Sequence, residues 1–200
     1  MARPTHASAL LLWYARPSSD VKRVVELGCG SGVVSIGMAK IYGRKVVGLD
    51  IDEDAVRIAR KSAVLNGVED AVEFFVMDVK DVRNRFRAES FDMVVFNPPH
   101  VLGKVRSPER RRALSRSGDV ELVEVFCKAA SWLVRNRGEF TTVLSPENMT
   151  IWLEFLRKHR LEPKRMVFFH PKGKKAELVA IRGRKNADVG LIVDPPVLEG

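Results

Sequence analysis

The chain places Gly28, Gly30 and Gly32 at alternate positions in Glu26-Leu27-Gly28-Cys29-Gly30-Ser31-Gly32, between an apolar run and a helix-period segment. Glycines so spaced let a backbone turn sharply and approach a ligand where a side chain would collide. Such a turn needs a strand before it and a helix after it. The flanks comply: 21–27 reads as a strand, and 33–42 reads as a helix that Gly43 ends.

The alternation continues along the chain. A strand over 45–49 ends at Asp50. A helix over 53–65 carries Ala55, Val56, Ala59, Ala63 and Val64 on one face and stops at Asn66-Gly67. Strands over 72–77 and 91–96 run into polar loops at Asp78 and Asn97. The basic stretch 104–118 has no clear period and reads as a long loop or small lid. Asp119 is an N-cap for a helix reaching about Arg135. A strand over 140–144 follows, then a helix opened by Ser145-Pro146-Glu147. The last strands, 166–170 and 177–181, are joined by Pro171-Lys172-Gly173-Lys174-Lys175. That link is too short for a parallel crossover, so the pair must be antiparallel. The pattern is that of a single α/β domain over 1–200: a seven-stranded, mostly parallel sheet with a C-terminal antiparallel hairpin and helices on both faces.

Composition narrows the partners. With 34 Lys and Arg against 25 Asp and Glu, the net charge is +9, which favours a polyanion, RNA or DNA first. No apolar run approaches the ~20 residues of a bilayer span. The short apolar stretch 7–15 reads as a docking helix, and the chain as cytoplasmic. Cys29 and Cys127, the two cysteines, offer no disulfide framework, and the four histidines are scattered, so no metal is expected.

A dinucleotide fingerprint would need glycine five positions after Gly28, where Val33 stands. The form E-x-G-x-G-x-G instead resembles motif I of the class I S-adenosylmethionine-dependent methyltransferases. That resemblance implies their Rossmann-like fold and contacts to S-adenosylmethionine from Glu26, Gly28, Cys29, Gly30 and Gly32. Cys29 reads as a packing residue rather than a nucleophile. Asp50, at the end of the second strand, can accept hydrogen bonds from both ribose hydroxyls, with Ile51 beside it. Asp78, followed by Val79, resembles the family's acidic residue that reads the adenine amino group.

Phe96-Asn97-Pro98-Pro99-His100 resembles motif IV of the amino-methyltransferases, usually N-P-P followed by tyrosine or phenylalanine. The chemistry accounts for these residue types. A conjugated amino nitrogen is a poor nucleophile because its lone pair is delocalised. If the Asn97 side-chain carbonyl and the Pro98 backbone carbonyl each accept one N–H, the nitrogen is aimed at the methyl donor and can become tetrahedral. The prolines stiffen the loop and offer no competing N–H. Asn97, Pro98, Pro99 and His100 are the expected catalytic set, Asn97 also bordering the cofactor. His100, in place of the usual aromatic, offers a smaller stacking face that can carry charge.

The motif fits a nucleobase and a glutamine amide alike. Lys104, Arg106, Arg110, Arg111, Arg112 and Arg116 follow it closely and could grip phosphates beside a flipped base. Further on, Leu161-Glu162-Pro163-Lys164-Arg165 and Phe169-His170-Pro171-Lys172-Gly173-Lys174-Lys175-Ala176-Glu177-Leu178-Val179 resemble the tRNA (adenine-N6)-methyltransferases that act beside the valine anticodon. That resemblance implies N6-methylation of adenine in tRNA, with Lys172, Lys174 and Lys175 as further RNA contacts. Two alternatives stand beside it: N5-methylation of a glutamine in a translation release factor, and a non-catalytic module that binds the cofactor or RNA.

Overall fold

The fold rests on a computed structural model that describes residues 6–98 and 108–199, with the side chains of 108–119 outside that description. Apolar runs ending at polar residues form the strands β1 (Arg23–Leu27), β2 (Lys45–Asp50), β3 (Val72–Val76) and β4 (Phe91–Phe96). β5 (Val134–Leu144), β6 (Leu161–His170) and β7 (Leu178–Lys185) complete the seven expected strands. Two short strands, β8 (Ile192–Val193) and β9 (Val197–Leu198), both pair with β6. The order is β3-β2-β1-β4-β5-β7-β6-β8, and β7 runs antiparallel to both neighbours.

Register decides where function can sit. Leu27 lies opposite both Leu49 and Phe96, so β1, β2 and β4 end level. The glycine turn, Asp50 and Asn97 therefore leave the sheet at one edge. β1 is also where the chain reverses direction across the sheet, and open α/β sheets place their ligand crevices at that point.

Helices α1 (His6–Tyr14), α2 (Val33–Tyr42) and α3 (Glu53–Asn66) bury one face against Val24, Val46, Met93 and Ala180. Helices α4 (Pro108–Leu133) and α5 (Met149–Lys158) cover the other, around Val94, Phe96, Phe140 and Ile181. α1 is the docking helix expected at 7–15. The Asp52 carboxylate caps α3 by accepting the N–H groups of Asp54 and Ala55.

The structure departs from expectation between β4 and β5. The stretch expected as loop or lid becomes helix at Pro108, so Arg110, Arg111, Arg112 and Arg116 belong to α4. Asp119 lies inside that helix rather than at its start. Arg, Glu, Ala and Leu are strong helix formers, and they outweigh the roughly 1 kcal/mol that a single interior glycine such as Gly118 costs. β5 also begins at Val134, earlier than the expected 140, because a bulge admits the turn-like Arg137-Gly138. Arg137 has φ +60, and a Cβ on Gly138 would lie 2.7 Å from the Asp92 carbonyl.

α4 runs into β5 with no glycine cap, so its last carbonyls need distant donors. Lys185, almost fully buried, donates from Nζ to the Ser131 and Val134 carbonyls at 2.7 and 3.1 Å and to Glu89 at 2.9 Å. The Glu89 N–H takes the Trp132 carbonyl. Lys185→Met leaves two carbonyls without donors and is expected to cost about 2–4 kcal/mol. Urea denaturation at neutral pH measures it; a loss below about 1 kcal/mol would mean the end of α4 finds other partners.

Candidate active site

The turn is held against β2 by backbone geometry. The N–H groups of Gly28 and Cys29 both donate to the Leu49 carbonyl, at 2.8 and 2.9 Å. Gly32 has φ +82, and a Cβ there would lie 2.8 Å from the Phe74 ring and 2.9 Å from Ala59. This glycine is demanded by the protein's own packing rather than by a ligand. Cys29 is buried, and burial pushes its thiol up, which suits the packing role expected of it.

Asp50 reaches back to the turn. One carboxylate oxygen accepts the Gly30 N–H at 2.7 Å and the other accepts the Asp52 N–H at 2.9 Å. Each oxygen keeps a lone pair, so a diol can still be bound. Ile51 beside it is 69% exposed, a free apolar surface at the mouth of the site. A cleft of about 720 Å³ runs between α2 and α3 from Gly30, Ser31 and Asp50 to Ile58. It includes neither Asp78 nor Asn97, so it is the outer flank of the turn rather than its ligand face.

Glu26 is placed differently from the other acids. Its carboxylate is buried under the turn and accepts both the backbone N–H and the hydroxyl of Ser35. Burial pushes its pKa up to about 8 against these two hydrogen bonds, with Asp50 adding to the rise. Asp78 caps the short 3₁₀ helix Val79–Asn84, accepting the Lys80 N–H and pairing with its ammonium, both at 3.0 Å. Partial burial raises its carboxyl, but Lys80 outweighs that and holds it below the usual carboxylate range. Val79 is buried against the face that carries α4.

At the end of β4, Pro98 is buried and Asn97 half-buried. Asn97 Oδ1 is shut off from solvent and has no hydrogen-bond partner among the described residues. Four other buried side-chain atoms share that state, on Arg44, Ser90, Thr142 and His159, but only Asn97 directly follows the C-terminal end of a strand. The ring of Phe96, the residue before it, packs with Phe126 and Trp152, with centroids 5.9–6.5 Å apart. A buried amide oxygen without a donor matches an acceptor kept for a substrate N–H.

Pro99, His100, Lys104 and Arg106 lie outside the described residues, as do the side chains of Arg110, Arg111, Arg112 and Arg116. Lys172, Lys174 and Lys175 occupy the β6–β7 hairpin, at the same edge of the sheet as Asn97. Lys175 pairs with Glu147 at 3.2 Å, both strongly exposed, and a pocket of about 270 Å³ opens between the hairpin and Ser145. Ser35 is a partner that no sequence pattern had marked.

Residues 2–150 match the family described as methyltransferase small domain. The chain is 25% identical over 177 residues to the tRNA1(Val) (adenine(37)-N6)-methyltransferase of Phocaeicola vulgatus, covering 88% of this chain and 74% of the relative. It is 39% identical over 101 residues to a Methanocaldococcus jannaschii protein provisionally named as a protein N5-glutamine methyltransferase, covering 49% of this chain and 46% of the relative. A protein of Agrobacterium tumefaciens described as a predicted O-methyltransferase superposes with a TM-score of 0.75 at 18% identity, covering 95% of this chain and 86% of that one. TrmN from Thermus thermophilus does so with 0.67 at 20%, covering 89% and 48%. At such identities these structures establish the shared fold.

Proposed function

The chain belongs to the methyltransferase small domain family, and from that premise we propose that it methylates the N6 amino group of adenine in structured RNA, tRNA first. The observation that carries the reading is Asn97 Oδ1 beside Pro98 at the end of β4, buried and without a hydrogen-bond partner among the described residues. S-adenosylmethionine, when bound, supplies a methyl group on a cationic sulfur.

The chain's residues do the rest. The turn Gly28–Gly32, with Glu26 beneath it, holds the cofactor together with Asp50, Ile51, Asp78 and Val79. Asn97 Oδ1 and the Pro98 carbonyl take the two N–H bonds of the target amine and point its lone pair at the methyl carbon. His100 stacks on the base in place of the usual aromatic. No strong base is required, since the nitrogen becomes acidic only once methylated.

RNA is favoured by the net charge of +9 and by the lysine hairpin at the same edge as Asn97. The resemblance to tRNA1(Val) methyltransferases, which extends over most of the chain, adds to this. The likeness to the Methanocaldococcus protein favours a second reading, N5-methylation of a glutamine side chain. Among the described residues no helix is long and apolar enough to cross a membrane.

Radiolabelled methyl transfer to total tRNA, followed by nucleoside analysis, separates these. N6-methyladenosine is the expected product. Label confined to a translation factor bearing a Gly-Gln loop would overturn RNA in favour of glutamine. Cofactor binding without turnover on either would leave a non-catalytic module.

A further inference from the structure

Away from the turn, on the face that carries α1, a pocket of about 270 Å³ is lined by Lys164, Arg165, Arg182 and Arg184, with Glu139 as its one carboxylate. The antiparallel register builds it: Arg165 lies opposite Arg182, and Glu139 opposite Arg184. A bulge between Pro163 and Arg165 adds Lys164 to the same wall.

Two of these cations are already neutralised. Arg184 donates to Glu139 at 3.0 Å, and Arg165 makes a two-pronged pair with Asp194, which also accepts the Tyr14 hydroxyl at 2.7 Å. The other two are not. Among the described residues Lys164 donates only to the neutral Asp188 carbonyl, at 2.9 Å. Arg182, half-buried, makes no hydrogen bond or ion pair among the described residues and only shares the field of Asp194 with Arg165. The Asp188 carboxylate lies 3.9 Å from Arg137 and is 97% exposed. Five cations, Arg137 included, face three carboxylates in this region, so two positive charges remain uncompensated. A half-buried guanidinium is desolvated, and its planar fork matches a phosphate oxyanion.

We propose that this pocket is an anion site that takes a phosphate group of the RNA substrate, several nucleotides from the methylated base. The substrate part rests on the RNA reading above; the anion site itself does not. Phe96, Thr142 and Ile181 are level across β4, β5 and β7. Strand rise and spacing then put Arg182 roughly 12 Å from Asn97, backbone to backbone. That line runs through buried Thr142, Val143 and Ala180, so an RNA whose base reaches Asn97 passes around the sheet and lays a phosphate several nucleotides on against Arg182 and Lys164. This second hold fixes the direction in which the strand leaves the active site.

The test has two arms. In the first, inorganic phosphate is titrated into the intact protein while the arginine Nε–H resonances are followed by NMR. A saturable shift at Arg182, weakened several-fold in Lys164→Gln, which leaves the reporting guanidinium in place, is expected; a linear drift without saturation overturns the anion site. In the second, total tRNA binding is measured across salt concentrations. The variant combining Lys164→Gln with Arg182→Gln should show a slope shallower by roughly 0.7–0.9, the loss of one phosphate contact. An unchanged slope with an intact phosphate shift overturns RNA as the source and assigns the pocket to a free phosphate ligand. If the wild-type protein methylates no RNA yet both arms succeed, the functional reading fails while the site stands.

Discussion

Asn97→Ala is expected to lower kcat for methyl transfer by about 10²–10³-fold, the usual effect of removing one aimed partner from a preorganised polar site. Cofactor affinity should stay within a few-fold, because the ribose and turn contacts proposed for Asp50 and Gly28–Gly32 are untouched. Stability should change little as well. Asn97 Oδ1 accepts no hydrogen bond from the described chain, so deleting it removes none. That combination distinguishes a catalytic acceptor from a structural asparagine, whose loss would lower the melting temperature first. Single-turnover methyl transfer, calorimetric cofactor binding and thermal melting together test it. A kcat loss under tenfold would sink the role assigned here, and so would a large stability loss. The second substrate reading makes the same prediction for a glutamine amide, so the experiment tests the chemistry whichever amine is used.

The parts of this site that were legible in the sequence are those set by local backbone rules. A glycine turn after an apolar run, an acid at the end of β2 and Asn-Pro-Pro at the end of β4 each announce a strand end. Parallel pairing then brings all three to one edge. What escaped depends on contacts between distant positions. Nothing in the sequence pairs Glu26 with Ser35, since the turn that joins them is itself the unknown. The Asp78 position was marked, but its cap onto Lys80 was not. The start of α4 at Pro108 was hidden by Gly118-Asp119, which reads locally as a helix start and is overridden by the good helix formers around it. Lys185 looks like one more surface cation until β7 carries it under the end of α4. Arg182 and Lys164 lie eighteen positions apart, and only the bulged β6–β7 register places them in one pocket.

Glu26 should make the stability of this protein depend on pH where most carboxylates have stopped titrating. Its pKa rises from an ordinary 4.5 to about 8, first because burial disfavours the charged form. The Ser35 N–H and hydroxyl oppose that rise without cancelling it. A raised folded pKa means the native state keeps a proton that the unfolded chain has released. The contribution of neutral Glu26 is therefore fully present below about 4.5 and is lost as pH climbs to about 8, where it levels off. The slope in that window approaches about 1.4 kcal/mol per pH unit, for a total on the order of a few kcal/mol. Glu26→Gln cannot titrate, so the wild type should become less stable relative to this variant between pH 5 and pH 8. Urea denaturation of both proteins at the two pH values measures the change directly. A difference that does not move with pH would mean that Glu26 is ionised in the folded protein throughout. The turn would then rest on a buried carboxylate held charged by Ser35, rather than on the neutral acid expected here.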